Sequence, residues 1–158
     1  RRMGAAISWD AERKVSGEPV GTIRARSSML HGTTITGADV PTMIDELVLL
    51  GCLATRADGD TIVRGAQELR VKESDRIATV VENLRAIGAD AEETADGFVV
   101  RGTRTRLHGS VRTHGDHRVA MAFGILAKLP GNDIRIDDPG CVAVSYPRFW
   151  EDLERLTR

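Results

Sequence analysis

Between positions 68 and 76 the chain reads Glu-Leu-Arg-Val-Lys-Glu-Ser-Asp-Arg, and seven of these nine residues carry a charge or a hydroxyl. Asp60 to Arg64 ahead of it reads as a strand, and Ile77, Val80, Val81, Leu84 and Ile87 behind it recur on one helical face. The charged stretch is therefore a loop that flows into a first helical turn. Such a turn presents unpaired N–H groups and the positive end of the helix dipole. Lys72 and Arg76 are the wrong sign for helix stability there, so they point to an anion pocket. Glu73 stands between them, a carboxylate whose proton affinity neighbouring charge can tune, as a general acid or base requires. The competing reading is a capping segment in which Ser74 or Asp75 satisfies the helix start and the remaining charges are solvated.

A second constellation lies at Asp116-His117-Arg118. Asp116 can cap a helix running to Lys128 with Val119, Met121, Ala122, Phe123, Ile125 and Leu126 inside. Arg118 then adds a planar guanidinium that binds carboxylate or phosphate in bidentate fashion, or else pairs with Asp116 or a nearby carbonyl. His114, Asp116 and His117 lack a third strong ligand, so no metal is expected. No Gly-rich dinucleotide or phosphate-loop signature stands at any strand-to-helix turn, and Ser27, Ser28 and Ser145 have no paired base. Asp45 and Glu46 are the only interior acids of a helix opened by Pro41. Met43, Ile44, Leu47, Val48, Leu50, Leu53 and Ala54 make that helix apolar nearly all round and hence buried.

The elements that must position these groups recur. Gly21-Thr22-Ile23-Arg24, Leu30-His31-Gly32 and Thr36-Gly37-Ala38-Asp39 return 77 positions later as Phe98-Val99-Val100-Arg101, Leu107-His108-Gly109 and Thr113-His114-Gly115-Asp116. Each copy continues into an apolar helix, a strand (Asp60 to Arg64, then Asp133 to Asp137) and a second helix, the last opened by Tyr146-Pro147. Equivalent turns of a repeat point the same way, so the helix starts near Asp39, Ser74, Asp116 and Tyr146 can surround one region. His31 and His108 occupy equivalent places and read as structural. Ala6 to Trp9 and Val20 to Arg26 read as a strand pair joined by a polar loop over Asp10 to Pro19, and Ala91 to Thr94 with Gly97 to Arg101 as a hairpin over Ala95-Asp96.

Twenty-two basic and 23 acidic residues give a net charge of −1, and 4% of residues are aromatic, which excludes nucleic acid or an anionic membrane as the main partner. Two cysteines far apart, Cys52 and Cys141, indicate no disulfide framework. No apolar run approaches the roughly 20 residues that span a bilayer. The chain reads as soluble and cytoplasmic, and its opening residues, Arg1 to Ala5, as the end of a helix with a glycine stop inside a longer polypeptide.

With Lys72-Glu73-Ser74-Asp75-Arg76 and Asp116-His117-Arg118 both in view, the chain resembles the 5-enolpyruvylshikimate-3-phosphate synthase family. Pro41-Thr42-Met43-Ile44-Asp45-Glu46, Leu69-Arg70-Val71 and Ser145-Tyr146-Pro147 add to the match, which spans essentially all 158 residues but only the C-terminal part of such an enzyme. The resemblance implies an α/β fold of inside-out lobes, each made of βαβαββ units with helices in the core and sheets outside. On that resemblance, residues 1–158 are expected to form an incomplete second lobe of about two units plus a leading strand segment. It implies transfer of the enolpyruvyl group of phosphoenolpyruvate to the 5-hydroxyl of shikimate 3-phosphate by a glyphosate-target enzyme, a monomer without metal or other cofactor. By position, Asp45 holds and deprotonates the hydroxyl, Glu73 moves the proton at the phosphoenolpyruvate methylene, Lys72 binds shikimate 3-phosphate, and Arg76 and Arg118 grip phosphoenolpyruvate. The N-terminal lobe is the missing partner. Val144 stands where many relatives carry lysine, and Glu68 where some carry Asn, differences shared with the branch less sensitive to glyphosate. A UDP-amino-sugar enolpyruvyl transferase and a non-catalytic module with the same fold are the alternatives.

Overall fold

The computed structural model describes residues 1–157, and the side chains of these except Ala11 and Glu12. The first element is a hairpin of β1 (Ala6–Val15) and β2 (Glu18–Arg26). Ser16 and Gly17 turn it with φ of 50° and 87°, the turn whose twist matches paired strands. Polar composition predicts a loop from Asp10 to Pro19, yet most of that stretch is strand. The two-stranded ribbon is solvated, so nothing enforces an apolar alternation along it. Trp9 lies directly opposite Ile23 on one face, with Ile7 beside them, and all three are exposed.

Two short parallel pairings follow, β3 (Leu30–His31) with β5 (Ala57–Asp58) and β4 (Thr34–Ile35) with β6 (Asp60–Val63). Gly32 separates β3 from β4 because a Cβ there would lie 2.1 Å from the Asp60 carbonyl oxygen. Between the pairings the chain makes two 3-10 turns, Val40–Thr42 and Ile44–Glu46, and only then α1 (Leu47–Ala54). The helix predicted from Pro41 therefore starts later. Asp39 accepts the Thr36 N–H and hydroxyl instead of capping a helix, and Met43, at φ −150° and ψ 22°, leaves the helical path. Asp45 and Glu46 consequently stand on an exposed turn and not inside a buried helix, which corrects that expectation.

β6 enters a four-stranded sheet of order β4-β6-β8-β7, where β7 (Asp90–Thr94) and β8 (Gly97–Arg101) form the expected antiparallel hairpin. α2 (Arg76–Ala86) ends at Ile87, and Gly88, at φ +90°, closes it. The second copy pairs β9 (His108–Val111) in parallel with β10 (Asp133–Ile136) on either side of α3 (His117–Ala127) in sequence. His31 sits opposite Asp58 and His108 opposite Asp133, so in each copy the strand before the first helix pairs in parallel with the strand after it, although the register differs by two residues. A 3-10 turn at Pro139–Val144 and α4 (Phe149–Leu156) complete the chain, packing Val142 and Phe149 near Ala120 of α3.

Leu47 and Val48 of α1, Ile77, Val80 and Leu84 of α2, and Val119 and Phe123 of α3 form one core, closed by Val63, Phe98 and Val100 from the four-stranded sheet. Removing these side chains from water is the main driving force. α1, α2 and α3 pack inside and the sheets outside, with α4 at the surface, the inside-out α/β arrangement that the resemblance implies. The repeat also exposes a contrast: Val100 is 0% exposed, whereas Ile23, its equivalent 77 positions earlier, is 62% exposed.

The charged loop is tied to this frame by Arg70. Its Nη1 bonds Asp75 at 2.8 Å, its Nη2 bonds Glu93 at 2.9 Å and the Thr94 carbonyl at 2.7 Å, and its Nε donates to the Ala95 carbonyl at 3.0 Å. The two carboxylates hold the guanidinium even more firmly protonated than usual. On the other flank, buried Asn83 clamps the backbone of Arg112, donating to its carbonyl and accepting its N–H, both at 2.8 Å. Arg70→Met keeps the aliphatic packing and removes these bonds; about 2 kcal/mol of stability should be lost, read from the urea unfolding midpoint, with loosening of residues 67–75 in hydrogen exchange. An unchanged midpoint would show that the clamp is ornamental.

Candidate active site

Three segments meet at the guanidinium of Arg76. The first is the loop and start of α2, where Asp75 caps the helix by accepting the Ala78 N–H at 3.0 Å. The second is the start of α3, where the Asp116 carboxylate accepts the N–H groups of Arg118 at 2.9 Å and Val119 at 3.4 Å. The third is the Ile44–Glu46 turn that carries Asp45. Caps of this kind satisfy the orphan N–H groups of a helix start and fix where its first side chains point.

The Arg76 side chain is 0% exposed. Its Nε donates to Asp116 Oδ2 at 2.8 Å, its Nη1 to Asp45 Oδ1 at 3.1 Å, and its Nη2 to Glu73 Oε2 at 2.6 Å. Nη2 also reaches Asp116 Oδ1 at 3.4 Å. Arg118 shares Asp45: its Nη2 lies 3.2 Å from Asp45 Oδ2, and its Nη1 donates to the Asp45 carbonyl and stands 3.8 Å from Glu46. Ser74 donates its hydroxyl to Asp116 Oδ2 at 3.0 Å. Lys72 is exposed, and among the described residues it makes no ion pair. The side chains of Glu73, Asp45 and Arg118 are 49%, 40% and 34% exposed, so the cluster has one wet side and one buried side.

Burial alone would lower the Arg76 proton affinity, but Asp116 foremost, then Glu73 and Asp45, reverse this and hold it above the ordinary guanidinium value. Burial likewise acts to raise the Asp116 carboxyl, and it is overcome by the charge and hydrogen bonds of Arg76, the Arg118 N–H and the Ser74 hydroxyl, which hold it below the usual carboxylate range. Both groups therefore remain ionised at neutral pH. The arrangement offers two solvent-facing carboxylates beside two guanidiniums and an unpaired ammonium, the parts of an acid–base site for a compact anion.

Asp45, Glu73, Arg76 and Arg118 thus lie at one place, with Lys72 adjoining Glu73 in sequence. Arg76 differs from its sequence reading, which makes it an open cation: it is buried, and an anion reaches it only where Glu73 or Asp45 gives way. Asp116 reads from sequence as a cap or as the partner of the Arg118 side chain. It is a cap, but its ion pair is with Arg76, forty residues earlier, and the Arg118 side chain turns to Asp45. The clamping roles of Arg70 and Asn83 escape sequence reading; a polar residue inside an apolar helical face was the signal for Asn83. Val144 is exposed at the end of the Pro139–Val144 turn, and Glu68 is exposed and distant in role from the ion pairs.

The family model described as EPSP synthase (3-phosphoshikimate 1-carboxyvinyltransferase) matches residues 1–153. The 3-phosphoshikimate 1-carboxyvinyltransferase of Desulforudis audaxviator is 49% identical over 155 residues, 98% of this chain and 36% of that protein. The same enzyme of Aquifex aeolicus is 45% identical over 155 residues, again 98% of this chain and 36% of the relative. The solved structure of EPSP synthase from Acinetobacter baumannii superposes with a TM-score of 0.86 at 36% identity, covering 97% of this chain and 36% of that one. The enolpyruvyl transferase NikO from Streptomyces tendae, with a TM-score of 0.67 at 22% identity, covers 98% of this chain and 33% of its own and shares the fold. The chain spans about a third of the length of the curated relatives it matches. On the family match and on these identities, the chain belongs to the EPSP synthase (3-phosphoshikimate 1-carboxyvinyltransferase) family.

Proposed function

We propose that the full-length gene product containing this chain transfers the enolpyruvyl group of phosphoenolpyruvate to the 5-hydroxyl of shikimate 3-phosphate and releases phosphate. The observation that carries this reading is the meeting of Asp45, Glu73 and Arg118 around Arg76. Asp45 takes the hydroxyl proton as that oxygen attacks C2 of phosphoenolpyruvate, and Glu73 delivers a proton to the C3 methylene, which becomes a methyl group. Glu73 then removes a proton from the methyl group, the C2–C3 double bond re-forms, and phosphate departs with the electron pair of its C–O bond and takes up the proton that Asp45 received. Arg118 and Arg76 hold the phosphoenolpyruvate anion, and Lys72 with Asp45 holds shikimate 3-phosphate; positioned charge of this kind stabilises the charge that develops during the reaction. Val144 leaves one phosphate contact to another part of the enzyme.

Residues 1–158 are part of the C-terminal lobe, about two βαβαββ units and a leading hairpin. The exposed Ile7, Trp9 and Ile23 face supports this, since a further unit packed there would bury what Val100 buries in the complete copy. The N-terminal lobe supplies the remaining substrate contacts across a cleft. The enzyme works in the cytoplasm as a monomer without cofactor and is a glyphosate target.

Phosphate release by the full-length protein should require both substrates, and Glu73→Gln should lower kcat at least about a hundredfold. Retention of the full rate would end the assignment, and NMR shifts on adding a UDP-amino sugar but not shikimate 3-phosphate would transfer it to the related transferases. Residues 1–158 alone should release no measurable phosphate from the two substrates; turnover at even a modest fraction of the intact rate would mean that the site needs no second lobe.

A further inference from the structure

Arg76 bonds three carboxylates, and these partners are not equivalent. Asp116 is itself 0% exposed and is fixed from all sides by the Arg118 and Val119 N–H groups, the Ser74 hydroxyl and the Arg76 Nε. Glu73 and Asp45 instead lie on the wet side, and each covers one terminal nitrogen of the guanidinium. An exposed carboxylate gains little from an ion pair, so these two are the partners that can leave, whereas Asp116 cannot leave without stranding a buried charge.

We infer that Glu73 and Asp45 act as internal stand-ins for the substrate anion, and that Asp116 is the positioning residue that keeps Arg76 in place while they are exchanged. This rests on the reading of the site as a phosphoenolpyruvate site. A carboxylate or phosphate arriving at the wet side takes over the terminal nitrogens of Arg76 by displacing Glu73 and Asp45. Departure of the Asp45 carboxylate also frees Nη2 of Arg118, because that one carboxylate bridges both guanidiniums at 3.1 and 3.2 Å, while Nη1 of Arg118 stays on the Asp45 carbonyl. The two acids that move protons are thereby set free at the moment the anion is seated, and binding and activation become one equilibrium. In this structure the same acids satisfy the buried cation.

The test is the affinity of the full-length gene product for phosphoenolpyruvate and for inorganic phosphate without shikimate 3-phosphate, followed by NMR titration at about 0.15 M salt, where remote charges are screened. Glu73→Gln, which removes a competitor from a half-exposed position and does not threaten folding, should bind both anions roughly fivefold more tightly, although it turns over poorly. Glu46→Gln removes a like charge from the neighbouring Ile44–Glu46 turn, where it stands 3.8 Å from Arg118 and does not pair with Arg76, and should gain far less. Unchanged or weaker binding by Glu73→Gln, or an equal gain for both variants, would overturn the inference while leaving the catalytic assignment standing. Failure of the unmodified protein and of both variants to bind either anion would overturn the two together.

Discussion

A guanidinium with no exposed surface cannot persist without counter-ions, and Arg76 draws its counter-ions from three separate segments of the chain. Desolvating one charge costs several kcal/mol in a protein interior, so the pairing with Asp116 is a condition of folding more than a source of net stability. Satisfying that condition brings the turn at residues 44–46, the loop ahead of α2 and the first turn of α3 to a common point. The candidate site is assembled because the arginine is buried.

The precision of this meeting comes from rigid elements. Asp75 and Asp116 each cap a helix and at the same time join the charge network, through Arg70 and Arg76 respectively. Arg70 and Asn83 then anchor the two loops to β7–β8 and to α2. Groups supported from behind in this way need no ordering when a ligand arrives, which is the physical meaning of a preorganised site. Glu73, Asp45 and Arg118 face solvent on the opposite side and keep their freedom to exchange partners.

Duplication explains why the right turns are neighbours. Parallel strands enclose α1 in one copy and α3 in the other along the chain, and the two helices pack together in the core, so their starts lie at one end. The hairpin at the front of the chain is the odd member. It carries the sequence pattern of β8 but presents its apolar face, Ile7, Trp9 and Ile23, to solvent.

Much of this was legible in the sequence because it is governed by local periodicity and short-range chemistry. The apolar spacing of Ile77 to Ile87, the Asp116 cap, the Ala95-Asp96 hairpin and the 77-residue repeat each depend on residues a few positions apart or on plain self-similarity. The solvated strand from Asp10 to Val15 and the delayed start of α1 were not legible. Polar residues on an exposed ribbon look like a loop, and the backbone of Met43 and the turn bonds of Asp39 override an otherwise helical pattern. The acids and arginines could be chosen from type and spacing, and the convergence of Asp45, Glu73 and Arg118 could be expected from the repeat. Which carboxylate belongs to which guanidinium was decided only by the tertiary fold, since ion pairs across 31 to 73 residues depend on burial and approach distance, and neither is written in the order of the residues.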